Sequence, residues 1–172
     1  MIKFDIGGLA GISLLAAKKD VRPFLNGVGL RDGHLIASNG HILGAIPADM
    51  PAGTDLSIPN DTVNLLLKGL TAKQKREGVI TVVDGRISNG YTDMELPSLP
   101  YTTWLNVFPD QYTPEICFCY NWEYLALFNK MARTITGAKA PKVSVIHNGG
   151  KPANVLVAEL PLFKGVIGPV RI

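Results

Sequence analysis

The sequence has 172 residues, of which 47% are hydrophobic and 18% charged, a composition typical of folded rather than disordered proteins. This length accommodates one domain, or one and a half small domains, with a real core. The apolar runs are short and interrupted by Gly, Pro or charge, and the N-terminus lacks the sustained apolar stretch of a secretory signal. We therefore expect a soluble cytoplasmic protein without a membrane span.

The net charge is only +3, but it is distributed unevenly along the chain. Residues 1–119 contain 10 Lys and Arg against 12 Asp and Glu, whereas residues 120–172 contain 7 against 2. This asymmetry permits an anionic partner without requiring one.

The first unit of the chain is predicted to be a strand at Ile2–Ile6, a helix over 8–19 and a three-stranded antiparallel meander over 24–31, 34–38 and 41–47. Leu9, Ile12 and Ala16 form the apolar stripe of the helix. Asp32-Gly33 and Asn39-Gly40 separate the three strands, and both dipeptides tolerate the positive φ angles of tight hairpin turns.

The second unit repeats this order. A short strand at Leu56–Pro59 precedes a helix that Asn60 or Asp61 can cap, with Val63, Leu66, Leu67 and Leu70 on its apolar face. The hairpin-linked strands Val79–Val83, Arg86–Ser88 and Met94–Leu99 follow, with turns at Asp84-Gly85 and Asn89-Gly90.

The third unit opens with a β-like run at Glu115–Tyr120, after a proline-rich connector over 97–114. Asn121 is a natural cap for a helix with Leu125, Phe128, Ala132 and Ile135 on one face, and strands are predicted at 142–147, 154–159 and 165–170. Cys117 and Cys119 lie in the first run, where we expect buried, reduced thiols, because two cysteines are too few for a zinc site unless histidines join them.

A strand, a helix and three hairpin-linked strands (βαβββ) thus recur at intervals of roughly 50–60 residues. The hairpin turns predict antiparallel sheets with helices on one face, hence an α+β fold. We expect a domain over residues 1–112, built of two units (1–50 and 55–99) plus the connector. A third half-domain over 113–172 would pack with it or with a neighbouring chain.

The first unit resembles the middle domain of the bacterial sliding clamp, the β subunit of DNA polymerase III. The resemblance is carried by Asp20-Val-Arg-Pro-Phe-Leu-Asn-Gly27 and Ala37-Ser-Asn-Gly-His-Ile-Leu43, where that family reads Arg-Tyr-Tyr-Leu-Asn-Gly and Ala-Thr-Asp-Gly-His-Arg-Leu. It continues through Ile58-Pro59 and Phe108-Pro-Asp110 to the C-terminal Val166-Ile-Gly-Pro-Val-Arg-Ile172, which is similar to the family's Val-Val-Met-Pro-Met-Arg-Leu.

The resemblance implies a processivity clamp whose domains are pairs of βαβββ halves, with sheets outside and helices lining a hole around duplex DNA. Such clamps tether polymerases through a peptide-binding groove and have neither a catalytic centre nor a cofactor. The groove residues that carry over to this sequence are Leu25, Ser38, Gly40, His41, Leu43, Pro109, Val166, Pro169, Val170, Arg171 and Ile172. Chemically they suit an apolar slot for an extended peptide.

Two positions depart from the family, Ile42 in place of Arg and Gly168 in place of Met. The chain is also short, because a full clamp subunit has six half-units and three are predicted here, as in a phage or mobile-element version. Four such chains would supply the twelve half-units of a ring, and a dimer completed by pairing the odd halves is equally open. We expect a homo-oligomer.

The predicted helices carry ten of the 17 basic residues on or just beyond them. This distribution suits helices that face phosphates and bind without reading sequence, although the helix macrodipole also favours cations near helix C-termini. The ten candidates for contact with duplex DNA are Lys18, Lys19, Arg22, Lys68, Lys73, Lys75, Arg76, Lys130, Arg133 and Lys139.

Other candidate sites have weaker signals. Gly7-Gly8-Leu9-Ala10-Gly11 is interpreted as a glycine cluster at a helix start rather than a nucleotide-binding turn, and Asn148–Pro152 as a turn. His34, His41 and His147 have no metal-ligand spacing. Two alternatives to a clamp stay open, a decoy that binds clamp partners without encircling DNA and a small-molecule enzyme on the same scaffold.

Overall fold

The computed structural model describes residues 1–97, 99–101, 104–107, 120–147 and 152–169. In this part of the chain, antiparallel strands form two sheets, and four α-helices accompany them. The predicted α+β fold class is confirmed. The helices are α1 (Ile6–Ile12), α2 (Asn60–Leu67), α3 (Ala72–Glu77) and α4 (Trp122–Thr136). The strands are β1 (Ile2–Asp5), β2 (Gly27–Arg31), β3 (His34–Ser38), β4 (Ile42–Pro47), β5 (Asp55–Pro59), β6 (Val79–Val83), β7 (Arg86–Ser88), β8 (Asp93–Glu95), β9 (Val143–Ile146), β10 (Ala153–Val157) and β11 (Lys164–Ile167).

The predicted meander of the first unit is β2-β3-β4, paired antiparallel throughout. Its first turn has positive φ at both Asp32 (51°) and Gly33 (72°), as a tight two-residue hairpin turn requires. The strand predicted from residue 24 begins at Gly27 instead, because Pro23–Leu25 form a 3-10 turn.

The second turns of the first two units share the same hydrogen bonds. The side-chain oxygen of Asn39 accepts the backbone N–H groups of the second and third residues after it, at 3.0 and 3.1 Å, and Asn89 does the same at 2.8 and 2.7 Å. In each turn the preceding serine hydroxyl accepts the N–H of the glycine at 3.1 Å. Matching local chemistry at matching positions supports a structural repeat.

The two units exchange their first strands, which the sequence pattern did not predict. β1 of the first unit pairs with β6 of the second, and β5 of the second pairs with β2 of the first. The helix starts are tied in the same reciprocal way: the N–H of Ile6 donates to Gly78 O at 3.0 Å, and that of Asn60 donates to Asn26 O at 2.9 Å. Each unit therefore completes the sheet of the other.

The third unit extends the first sheet rather than forming its own. β11 pairs antiparallel with β4, from Lys164 opposite Ala45 to Ile167 opposite Ile42. The result is a seven-stranded sheet in the order β5-β2-β3-β4-β11-β10-β9, beside a four-stranded sheet β1-β6-β7-β8. The predicted run Glu115–Tyr120 lies outside the described residues except for Tyr120.

The first helix is shorter than predicted. α1 ends at Ile12, a 3-10 turn covers Ser13–Leu15, and Ala16 is already extended. The N–H of Ala17 donates to both Leu25 O (2.9 Å) and Ser38 O (3.2 Å), so the backbone that would continue the helix bonds to the meander instead. The prediction of helix to residue 19 was therefore wrong.

The second helix also differs from its prediction. Asn60 does not cap α2; its side chain donates to Ala17 O at 2.7 Å, and Pro59 holds the cap position without a side-chain bond. α2 ends at Leu67, and α3 follows as a helix that was not predicted. Thr71 and Gln74 form a reciprocal capping box at the start of α3, a Thr-x-x-Gln signal that was visible in the sequence.

The core is organised around α1, whose seven residues are all buried. Glycines allow its neighbours to approach: a Cβ on Gly11 would lie 2.3 Å from the Ile135 side chain and 3.1 Å from Met131 O, both on α4. A Cβ on Gly7 would lie 3.1 Å from Lys75 O on α3 and 3.9 Å from Ile135 O. The predicted glycine cluster thus serves helix packing.

The opposite face of the seven-stranded sheet is covered by the connector. Tyr101 and Trp104 are buried there, against a small cluster that includes Leu43 and Val166. The indole N–H of Trp104 donates to Asp32 Oδ2 at 3.0 Å, which ties the connector to the first hairpin turn. None of the helices in the described ranges has the length and hydrophobicity of a membrane-spanning segment.

We expect Gly11→Ala to lower the free energy of unfolding by about 1–3 kcal/mol, because overpacking at the α1–α4 contact outweighs the better helix propensity of Ala. Chemical denaturation measures this. Ile135→Ala removes the nearest atoms, so the same glycine substitution should cost less in that background. Equal costs in both backgrounds would contradict this account of the contact.

Candidate functional site

A cleft of about 400 Å³ lies where the first and third units meet, and we name it the junction cleft. It is lined by the β3–β4 turn, the start of α4, the end of β11 and the connector. Its described lining residues are Ser38, Gly40, His41, Ile42, Leu43, Val107, Asn121, Tyr124, Pro152, Val166, Gly168 and Pro169. A volume of this size is typical of ligand sites.

The structure brings together most of the predicted groove. Six of the seven described candidates line the junction cleft: Ser38, Gly40, His41, Leu43, Val166 and Pro169. The exception is Leu25, which is buried and does not belong to the lining. The other four candidates, Pro109, Val170, Arg171 and Ile172, lie outside the described residues.

The β3–β4 turn is held rigidly at one side of the cleft. The Ser38 hydroxyl donates to Ile42 O at 2.7 Å and accepts the N–H of Gly40 at 3.1 Å. Across the cleft, the N–H of Gly168 donates to His41 O at 2.8 Å, and a Cβ on Gly168 would lie 3.3 Å from that oxygen. Gly168 therefore suits the close approach of the last strand to the turn.

Ile42, which stands where the resembled clamp family has Arg, is part of the hydrophobic core. Its side chain is 2% exposed and packs on the helix side of the sheet, whereas that of Leu43 belongs to the cluster on the connector side. Burial at position 42 therefore favours an apolar side chain.

The third unit contributes an aromatic wall that sequence reasoning missed. The rings of Tyr124 and His41 are stacked nearly parallel, at 13°, with centroids 5.4 Å apart. Asn121, at the N-terminal end of α4, accepts the N–H of Glu123 at 2.9 Å. The sequence predicted that Asn121 caps α4, but not that Asn121 lines the cleft. Its position there depends on packing between α4 and the distant β3–β4 turn.

The described lining of the junction cleft is largely apolar, with a few polar groups. Its described lining contains no carboxylate, lysine or cysteine, and combines apolar side chains with amide, hydroxyl and imidazole groups. Elsewhere among the described residues, no group of three His, Cys, Asp or Glu side chains is placed to hold a metal ion.

The basic candidates fall into separate groups. Lys18 and Lys19 are exposed in the loop after the first helical segment, and Lys68 directly follows α2. In α3, the Nζ of Lys73 lies 3.9 Å from the Oε2 of Glu77. Apart from Arg22, the remaining residues lie at the end of α3 and along the C-terminal half of α4 and its following turn, and we name this set the basic patch: Lys75, Arg76, Lys130, Arg133 and Lys139.

The two parts of the basic patch lie on neighbouring helices. Lys130, Arg133 and Lys139 line one shallow surface along α4 and its C-terminal turn. The backbones of α3 and α4 meet over Gly7, where Lys75 O and Ile135 O both approach the same point. Cations at helix C-termini also match the negative end of the helix dipole.

Arg22 belongs to the edge of the junction cleft instead. Its guanidinium donates to both carboxylate oxygens of Asp20, at 2.8 and 3.0 Å. A Cβ on Gly40, whose φ is 88°, would lie 2.6 Å from Arg22 Nη2. The side-chain hydrogen bond from Arg22, and then its backbone N–H, lower the pKa of Asp20 to about 2.

No protein-family model matches the sequence, and no curated protein matches it. Solved structures do match. The β sliding clamp of C. crescentus is 13% identical with a TM-score of 0.64, and the DNA polymerase sliding clamp of Bacillus subtilis is 13% identical with a TM-score of 0.66. Subunit β of DNA polymerase III from Borrelia burgdorferi, in complex with a natural product, is 12% identical with a TM-score of 0.71.

Each comparison covers 99% of this chain, but only 64–66% of the matched clamp subunit. The chain therefore spans less than two thirds of the length of these clamps. At such low identity the comparisons establish the fold alone, and the predicted sliding-clamp fold is confirmed.

We expect Arg22→Gln to raise the pKa of Asp20 from about 2 toward its ordinary value of 3.8, because the guanidinium hydrogen bonds are lost. An NMR titration of the carboxyl carbon measures this. Lys19→Gln, which removes the same charge from an exposed neighbour, should leave the Asp20 pKa near 2.

The pH dependence has a definite sign. A depressed folded-state pKa means that the Asp20–Arg22 pair stabilises the loop above the unfolded pKa, and that this stabilisation is lost as the pH falls toward 2. An Asp20 pKa that does not respond to Arg22→Gln would contradict the assignment.

Proposed function

We propose that this protein is a clamp-like processivity factor that binds duplex DNA without reading sequence and holds a peptide of a DNA polymerase, or of another replication protein, in its junction cleft. The main support for this proposal is that residues of the segment Ser38–Leu43, together with Val166 and Pro169, line one cleft. These segments are distant in sequence, and each carries the resemblance to the clamp family.

The lining of the junction cleft supports an extended peptide as its ligand. Leu43 and Val166, both buried, contribute apolar groups to its lining, and the stacked rings of His41 and Tyr124 also line it. Apolar slots with a few polar anchors are typical peptide sites, and aromatic residues often contribute most of the binding energy.

The basic patch supports the DNA part of the proposal. Four of its cations, Arg76, Lys130, Arg133 and Lys139, are exposed. They lie on or just beyond α3 and α4, which pack against α1, and α1 itself contributes no charged residue. Cations without base-reading geometry bind phosphates by releasing counterions, which gives affinity independent of sequence and strongly dependent on salt.

The three-unit length bears on how DNA would be held. One chain spans less than two thirds of the matched clamps, so encircling DNA would require several copies of this chain. The decoy alternative differs here, because a decoy can bind clamp partners as a monomer and needs no DNA affinity. The DNA experiment therefore separates the two functions.

For the DNA contact, fluorescence anisotropy with two duplexes of unrelated sequence should give equal affinities that fall steeply between 50 and 200 mM salt, as counterion release requires. Arg76→Gln and Arg133→Gln should each weaken binding to both duplexes and reduce the slope of log K against log salt by about 0.9, one phosphate contact. Lys164→Gln is the matched control.

Lys164 is exposed on the opposite sheet face, with its Nζ 5.7 Å from the Trp104 ring centroid. Its substitution removes the same charge without touching the basic patch. Binding that is absent, insensitive to salt or equally weakened by the control would reject this DNA contact, and peptide binding without DNA binding would favour the decoy.

For the peptide contact, a fluorescent peptide with a bacterial clamp-binding motif should bind the full chain, and should lose binding when Pro169–Ile172 are removed. Tyr124→Ala should raise the Kd about tenfold, as expected for an aromatic side of a binding slot. Tyr91→Ala is the matched control, since Tyr91 is 70% exposed and outside the cleft. Unchanged affinity after the truncation would exclude the junction cleft as the peptide site.

A further inference from the structure

The connector reaches the junction cleft through Val107, which belongs to its lining. Val107 is 40% exposed, so burial does not fix its side chain in place. Its backbone forms the end of a 3-10 turn over Leu105–Val107, and its N–H donates to Trp104 O at 3.2 Å. The position of Val107 in the cleft wall therefore depends on where Trp104 is held.

Trp104 is held by the first unit. It is 1% exposed, and its indole N–H donates to Asp32 Oδ2 at 3.0 Å. The ring of His34 lies beside the indole, with the centroids 5.1 Å apart and the planes tilted by 58°. A hydrogen bond to a carboxylate is stronger than one between neutral groups. The β2–β3 turn therefore fixes both the place and the orientation of the indole.

A second anchor holds the connector three residues earlier. Arg31 Nη1 donates to Tyr101 O at 2.7 Å and to Asp55 Oδ2 at 2.9 Å. The N–H of Tyr101 donates to Asp55 Oδ1 at 2.7 Å, and the Tyr101 ring lies against Gly29, where a Cβ would overlap it. The connector thus approaches Trp104 from a fixed point on β2 and β5.

Trp104 also contacts the third unit and two residues of the cleft lining. Lys164 Nζ lies 5.7 Å from the indole centroid, within the range of a cation–π interaction. Leu43 and Val166, which line the junction cleft, belong to the same buried cluster as Trp104. Trp104 itself is not part of the described lining, so it acts on a bound ligand only through its neighbours.

We propose that Trp104 is a positioning residue of the junction cleft: through its hydrogen bond to Asp32, it holds Val107 in the cleft wall before a peptide arrives. The inference rests on the proposed peptide function, because its consequence is the affinity of that site. Ordering a loop during binding reduces affinity, so a wall that is already in place strengthens binding without touching the peptide through Trp104.

The test uses four variants of the full chain. Asp32→Gly removes the acceptor of the indole N–H, whereas Asp32→Asn keeps an acceptor oxygen, and both residues tolerate the φ of 51° at this turn position. Trp104→Phe removes the donor and keeps an aromatic ring. Ile87→Val, a substitution at a buried residue of β7 outside the cleft and the connector, is the control for lost stability alone.

Amide hydrogen exchange of the peptide-free protein measures the positioning directly. The N–H of Val107 should exchange about tenfold faster in Asp32→Gly and in Trp104→Phe, because the turn that holds it is released. Its exchange in Asp32→Asn and in Ile87→Val should stay within about twofold of the native rate. If Trp104→Phe does not fold, the two Asp32 variants still give the comparison.

Fluorescence anisotropy with the clamp-motif peptide measures the consequence. Asp32→Gly and Trp104→Phe should each raise the Kd about fivefold, and Asp32→Asn and Ile87→Val should leave it within about twofold. In a Val107→Ala background the positioned side chain is missing, so Trp104→Phe should then change the Kd by less than about twofold.

The two measurements distinguish the two failures. A native protein that does not bind the peptide rejects the proposed peptide function, while faster Val107 exchange in Asp32→Gly and Trp104→Phe still supports the positioning role. Native-like Val107 exchange in both variants overturns that role. So does an increase in Kd that is equally large in the Val107→Ala background or equally large for Ile87→Val.

Discussion

The pairing of β4 with β11 is the contact on which the functional surface depends. Antiparallel pairing of Ile42–Ala45 in β4 with Lys164–Ile167 in β11 fixes the third unit onto the first in one register. A slip of one residue would turn every side chain of β11 to the opposite face of the sheet. This register brings the turn at His41 to Tyr124 of α4 and to Gly168. Without that pairing, the β3–β4 turn would remain, but the junction cleft would lose half of its wall.

A second constraint acts on the helix side of the same sheet. Gly7 and Gly11 let α3 and α4 pack closely over α1, so the helix expected to present charge is buried, and the exposed cations come from the helices that cover it. The N-terminal end of α4 differs, because Trp122 there is 79% exposed.

Much of the fold could be predicted because its signals are local. The Asp-Gly and Asn-Gly turns located the strands within one to three residues at most ends, and Asn121 correctly marked the start of α4. The errors occurred where distant backbone competes with local preference: Ala17 leaves the helical path to bond with Leu25 and Ser38, and Asn60 bonds to Ala17 instead of capping α2. The capping box at Thr71 was a local signal that was overlooked.

By itself the sequence determined the βαβββ repeat, the antiparallel pairing, and, through resemblance, the segments that line the junction cleft. These depend on turn chemistry, periodicity and short peptides that are legible residue by residue. Only the tertiary structure decided that the units exchange strands, that Leu25 is buried away from the cleft while Tyr124 joins it, and that Arg22 lies beside Gly40. Strand exchange and cleft walls arise from pairing between segments tens of residues apart, and the energy of such pairing comes from shared burial that no single segment encodes.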